Sequence, residues 1–183
     1  MKLKIQKITA TYFKSLPKNL KMLNADAALD GIDLKLLESL QNDASLSNQA
    51  LAEQVHISPP TSLRRVKRLK DLGLIERQVA LLSTDKLAAT LGHGLTAIVE
   101  ITLDRQGAEH LEAFEKRVAA DEAVQQCYQV SPGPDFILLV HVLNMPAYLS
   151  LSQRLFTNDA NVRNVKSFFS TKRSKFKPKV LLS

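Results

Sequence analysis

One cysteine in 183 residues, Cys127, leaves no pair for an internal disulfide and suits a reducing compartment. No apolar run approaches the length of a membrane span. The opening segment Met1 to Met22 is basic and amphipathic, but it lacks both a continuous apolar stretch and a small-residue cleavage site, which argues against a secretory leader. A cytoplasmic chain without membrane attachment is therefore expected. Enzymatic signatures are missing as well. There is no phosphate-cradling glycine loop, no G-x-S-x-G elbow and no paired metal-ligand spacing, and His56, His93, His110 and His141 are scattered. Neither catalytic residue, metal nor cofactor is expected.

What is present is a globular composition, 45% hydrophobic, with a formal net charge of +7. That charge sits at the ends. Lys2, Lys4, Lys7, Lys14, Lys18 and Lys21 carry six positive charges, and Lys172, Arg173, Lys175, Lys177 and Lys179 carry five; the remainder holds 14 basic residues against 18 acidic ones. The body is slightly acidic, so a nucleic-acid partner has to be argued from local clustering rather than from the total. Residues 1–28 read as a basic extension, better explained as poorly ordered than as an arm on DNA phosphates. Residues 172–183 read as a basic tail.

Between these ends, Leu29, Ile32, Leu36, Leu37 and Leu40 fall at helical spacing, with Asp30 and Asp33 in the first turn, and this helix should end near Asn42. Ser47 is placed to cap a short second helix whose Ala50, Leu51, Ala52 and Val55 face inward. After a turn at His56 to Ser58, Pro59 and Pro60 open a third helix running to Leu72, where Gly73 stops it. Leu74 and Ile75, with Val79 to Leu82, suggest a hairpin, which closes a DNA-binding domain over residues 29–82. Residues 83–94 read as a linker. The second half then runs as a strand at Leu95–Leu103, a helix at Ala108–Ala120, strands at Ala123–Val130 and Phe136–Val142, a helix at Met145–Phe156 and a strand at Val162–Ser170. That βαββαβ order over residues 95–171 predicts a ferredoxin-like antiparallel sheet with both helices on one face. Phe136-Ile137-Leu138-Leu139-Val140 is apolar on both faces, so a second copy is expected on the open side, giving a homodimer.

The third helix carries the local charge that the whole chain does not. From Ser58 to Lys70 there are five basic residues and no acid. Helical spacing turns Leu63, Val66 and Leu69 one way and Thr61, Arg64, Arg65 and Arg68 the other. Arginines grip phosphates or guanine edges, and small hydroxyls approach bases without repulsion, so Ser58, Thr61, Ser62, Arg64, Arg65 and Arg68 are the candidate contacts to double-stranded DNA.

The run Ile57-Ser58-Pro59-Pro60-Thr61-Ser62-Leu63-Arg64-Arg65-Val66-Lys67-Arg68-Leu69, closed by Leu72-Gly73-Leu74-Ile75, resembles the Lrp/AsnC family of feast/famine transcription regulators. The similarity extends over about Leu29 to Phe169. It implies an α+β chain with a winged helix-turn-helix followed by a ferredoxin-like, RAM/ACT-like βαββαβ domain, dimers that can build octamers, and an amino-acid effector. The family's effector loop corresponds to Val130-Ser131-Pro132-Gly133-Pro134-Asp135, which implicates Ser131, Gly133 and Asp135. Pro132 stands where the family has glycine, and it removes an N–H that could donate to a ligand carboxylate. Asp135 is suited equally to accepting from an α-amino group and to turning the chain into a strand. Two other classes compete: a haem-pathway decarboxylase of similar architecture, which the scattered histidines disfavour, and a protein-docking module, whose binding would not fall steeply with salt.

Overall fold

The computed structural model describes residues 28–92 and 94–182, so His93 and the basic segment 1–27 lie outside the described residues. The described residues divide into two units, one formed by residues 28–80 with 178–182 and the other by the described residues of 81–177.

The first unit is built from helices α1 (Gly31–Asn42), α2 (Asn48–Gln54) and α3 (Pro59–Asp71). Helix α1 starts two residues later than the apolar spacing suggests, because Asp30 is its N-cap. The Asp30 carboxylate accepts from the Ile32 and Asp33 N–H groups at 2.9 Å each, and Asp33 Oδ2 accepts from the Asp30 N–H at 3.3 Å. This reciprocal pair satisfies N–H groups that the helix itself leaves free. Ser47 caps α2 by accepting from the Ala50 N–H at 3.1 Å. His56 takes φ 58°, the left-handed conformation that turns the chain sharply from α2 toward α3. Gly73, at φ 71°, releases the chain from α3, and the Leu74 N–H reaches back to the Leu69 carbonyl at 3.0 Å. Leu36, Leu37, Leu51, Val55 and Leu69 form the core, with Ile32, Val66 and Ile75 against it.

Three expectations change here. The hairpin after α3 does not form among the described residues: residues 76–83 have no regular structure, and Val79, Leu81 and Leu82 are exposed. A β-rich sequence needs a partner strand to take up its N–H and C=O groups, and this segment has none within the described chain. The linker is not irregular, because it contains helix α4 (Thr84–Leu91), capped by Ser83, which accepts from the Lys86 N–H, and ended by Gly92 at φ 82°. The C-terminal residues also do more than trail. The Val180 N–H donates to Gln41 Oε1 at 2.7 Å, its carbonyl accepts from Gln41 Nε2 at 3.2 Å, Lys179 Nζ donates to Asn42 Oδ1, and Leu182 packs on the three-helix core.

The second unit has strands β1 (Leu95–Leu103), β2 (Val124–Gln129), β3 (Phe136–Val142) and β4 (Val162–Phe169), with helix α5 (Ala108–Ala119) between β1 and β2. Helix α6 (Met145–Ser152), continued by a π-helical turn over Gln153–Thr157, lies between β3 and β4. The sheet is antiparallel in the order β2-β3-β1-β4, the ferredoxin-like arrangement. Its covered face is Ala97, Val99, Ile101 and Leu103 of β1 with Phe136, Leu138, Val140 and Val142 of β3, all buried against Phe114, Val118, Tyr148, Leu151, Leu155 and Phe156. Along β3 burial alternates residue by residue, so the run that reads as apolar throughout is fully buried on one side and half-buried on the other. On that other side Leu139, Ile98 and Phe168 stand side by side across three strands. Ile98 and Phe168 are exposed.

Candidate nucleic-acid interface

Helix α3 is held by its neighbours before it can present anything. Its buried face is Ser62 and Leu69, flanked by half-buried Arg65 and Val66. The first turn is tied to α2, since Asn48 Nδ2 donates to the Pro59 carbonyl at 2.9 Å. The outward face is Pro60, Leu63, Arg64 and Lys67, spaced at i, i+3, i+4 and i+7.

This orientation corrects the sequence-based assignment of faces. Leu63, expected to point inward, is 62% exposed, and Ser62, expected to reach DNA, is 0% exposed with no hydrogen-bond partner for its hydroxyl among the described residues. A small side chain lets α3 approach closely where leucine would not fit, and hydropathy spacing alone does not register size. Arg65 is turned inward as well. Its Nη1 donates to Asp33 Oδ1 and to Asp30 Oδ2 at 2.8 Å each, and Arg68 Nη1 donates to Asp33 Oδ2 at 3.0 Å. Asp33 is 1% exposed and Arg65 only 22%, so these two form the desolvated centre of an ion cluster joining the start of α1 to α3, with Asp30 and Arg68 on its solvent side. The hydrogen bond from the Asp33 N–H, joined by that from Arg65, holds the Asp30 carboxyl below its ordinary value. The hydrogen bonds to Asp33 and Asp30 in turn hold the Arg65 guanidinium above its own. A cleft of about 280 Å³ opens over the cluster between Ala28, Asp30, Asp33, Arg64, Arg65 and Arg68.

Of the six residues singled out from sequence, Arg64 is therefore the one whose charged side chain stands fully outward. Ser58 and Thr61 share a hydrogen bond of 2.8 Å between their hydroxyls at the helix start. Lys67 was missed. It lies three residues after Arg64 on the same face, a spacing visible in the sequence once Leu63 is not taken as buried.

The loop Val130–Asp135, expected from the resemblance to contact an effector, lies between β2 and β3, with a cis bond at Ser131–Pro132 and Gly133 at φ 129°. Asp135 is engaged within the chain. Its Oδ2 accepts from the Leu103 N–H at 2.7 Å and from Gln106 Nε2 at 3.3 Å, while its own N–H donates to the Ile101 carbonyl at 2.8 Å. Of the two roles open to it, turning the chain into β3 is the one these bonds perform. Ser131 and Gly133 lie exposed beside it. Cys127 is half-buried, and burial, with Glu115 nearby, pushes its thiol up to about 11, which suits a packing residue rather than a nucleophile. Among the described residues no cluster of His, Cys, Asp or Glu could hold a metal ion, and no helix is long and apolar enough to cross a membrane.

A three-helix unit with a tight α2–α3 turn and an outward basic helix defines the class of helix-turn-helix DNA-binding proteins. Comparison with known proteins narrows the class. Residues 29–76 match the model of a winged helix-turn-helix DNA-binding domain, and residues 96–180 match that of the Lrp/AsnC ligand binding domain. A leucine-responsive regulatory protein of Rhizobium meliloti is 35% identical over 147 residues, covering 80% of this chain and 92% of that protein. The Bkd operon transcriptional regulator of Pseudomonas aeruginosa is 33% identical, covering 80% and 93%. Among solved structures, a transcriptional regulator from Neisseria meningitidis in complex with L-Met has a TM-score of 0.74 at 29% identity, covering 85% of this chain and 97% of the other. The chain belongs to the Lrp/AsnC family of transcriptional regulators.

Proposed function

We propose that this regulator binds duplex DNA as a homodimer, with the outward face of α3 entering the major groove and an amino acid or similar small molecule governing assembly. The observation that carries the reading is the position of Arg64 and Lys67. Both project from the outer face of α3, directly after the turn at His56, and neither forms an ion pair with a described residue, whereas Arg65 and Arg68 are committed to Asp33. A cation without an internal counter-ion breaks no ion pair when it moves to a phosphate, and each phosphate neutralised releases condensed counterions.

The open sheet face supports the dimer. Leu139, Ile98 and Phe168 make an apolar row there, and two copies related by a twofold axis would cover it. Paired recognition helices would then meet half-sites about one helical turn apart. An effector that binds one assembly better than another shifts the equilibrium by its differential affinity, up to octamers on the family pattern. The L-Met complex of the similar Neisseria regulator supports an amino acid as the ligand class. Ser131 and Gly133 remain the candidate loop contacts, with Asp135 as the scaffold beneath them.

The test is a DNA-binding titration against salt. For the intact protein affinity should fall steeply with salt, and Arg64→Ala or Lys67→Ala should each flatten the slope of log affinity on log salt by about 1.8, because every bound dimer loses two phosphate contacts. A slope unaffected by both variants would refute the assignment.

A further inference from the structure

We propose that Leu63 reads DNA bases, contacting the C5 methyl of thymine on the floor of the major groove. The inference rests on the reading of α3 as the DNA-entering helix and assigns its sequence discrimination. Apart from Arg64 and Lys67, the polar side chains that could read bases from the first turns of such a helix are occupied. Ser62 is buried, Ser58 and Thr61 are hydrogen-bonded to each other, and Arg65 and Arg68 are bound to Asp33. The outward residues of those turns are Pro60, Leu63, Arg64 and Lys67, and Leu63 is the largest apolar group among them.

A leucine 62% exposed is poorly solvated, yet its surroundings make it unsuited to a contact with another protein's apolar surface. Arg64 adjoins it in sequence, Lys67 lies one turn on, and Lys70 lies two turns on, all exposed. Charge complementarity therefore selects a polyanion that also offers an apolar group. Duplex DNA meets both conditions, because the thymine methyl is the apolar feature of an unmodified major-groove edge. Recognition helices place their N-terminal residues nearest the bases, and Leu63 lies at the fifth position of α3. In this arrangement Arg64 and Lys67 anchor the backbone, and Leu63 senses which step of the site carries a methyl.

The test starts from duplexes selected out of a random pool by the wild-type chain, in which deoxyuridine then replaces thymidine one position at a time. Removing a single methyl contact should weaken wild-type binding roughly fourfold at one thymine in each half-site. Leu63→Ala should bind the unmodified site more weakly and lose the difference between thymidine and deoxyuridine there, with an unchanged melting midpoint and salt slope. Leu63→Met, which keeps an apolar tip, should retain the preference. Duplex binding with no methyl-sensitive position, or a Leu63→Ala protein that still prefers thymidine, overturns the proposal while leaving DNA binding intact. Failure of the wild type to enrich any duplex overturns both.

Discussion

Asp33 is where a residue chosen for charge proves to serve architecture. Acidic side chains in the first turn of a helix are ordinarily favourable by a few tenths of a kcal/mol to about 1 kcal/mol through the helix dipole. Here the carboxylate also gathers Arg65, Arg68 and the Asp30 N–H, while almost wholly removed from water. Asp33→Ala should lower the unfolding free energy by about 3 kcal/mol, the low end for breaking a buried pair, because both arginines can swing partly into solvent. Arg64→Ala should leave stability unchanged within about 0.5 kcal/mol. Urea denaturation of the two variants checks this contrast, and equal stabilities would show that the ion cluster is energetically idle. The same contrast decides which variants are clean probes of DNA binding. A protein lacking Arg65 that loses DNA has two reasons to do so, whereas one lacking Arg64 has one.

Elements that cap themselves were legible in the sequence. Ser47 before α2, Pro59 at the start of α3 and Gly73 after it are local signals, and the structure uses each for its local purpose. The helix at Thr84–Leu91 was just as local, with Ser83 ahead of it and Leu87, Ala88 and Leu91 at helical spacing, but its position between domains suggested a linker instead. What no local signal gives is the C-terminal segment. Gln41 offers Val180 a donor and an acceptor in the geometry of a strand neighbour, and α1 has no basic residue in its own last turn until Lys179 supplies one. Removing residues 178–183 should destabilise the three-helix unit by about 1–2 kcal/mol, the sum of a few net hydrogen bonds and the burial of part of Leu182. Hydrogen exchange of the full chain and the shortened one should show faster exchange at the α1 amides in the latter. Unchanged protection there would mean that the segment contributes nothing to the unit.

For the whole molecule, the question is what covers the sheet. One face has its two helices, and the other presents Ile98, Phe168 and Tyr128 to solvent, apolar surface that a second copy could cover. If a second copy covers it, Ile98→Asp should reduce the mass in light scattering from dimer to monomer and lower operator affinity with it, while the βαββαβ unit stays folded by circular dichroism. A mass that remains dimeric would place the contact elsewhere. The sequence by itself determined the three helices of the first unit, the βαββαβ order and antiparallel ferredoxin-like class of the second, and the basic third helix, because capping, hydrophobic period and charge clustering act over a few residues. Only the tertiary structure decided which way α3 is rotated, which arginines are left for DNA, and where the tail ends. Those outcomes depend on side-chain size and on partners 32 to 139 residues away, Arg65 to Asp33 and Gln41 to Val180, which no periodic pattern encodes.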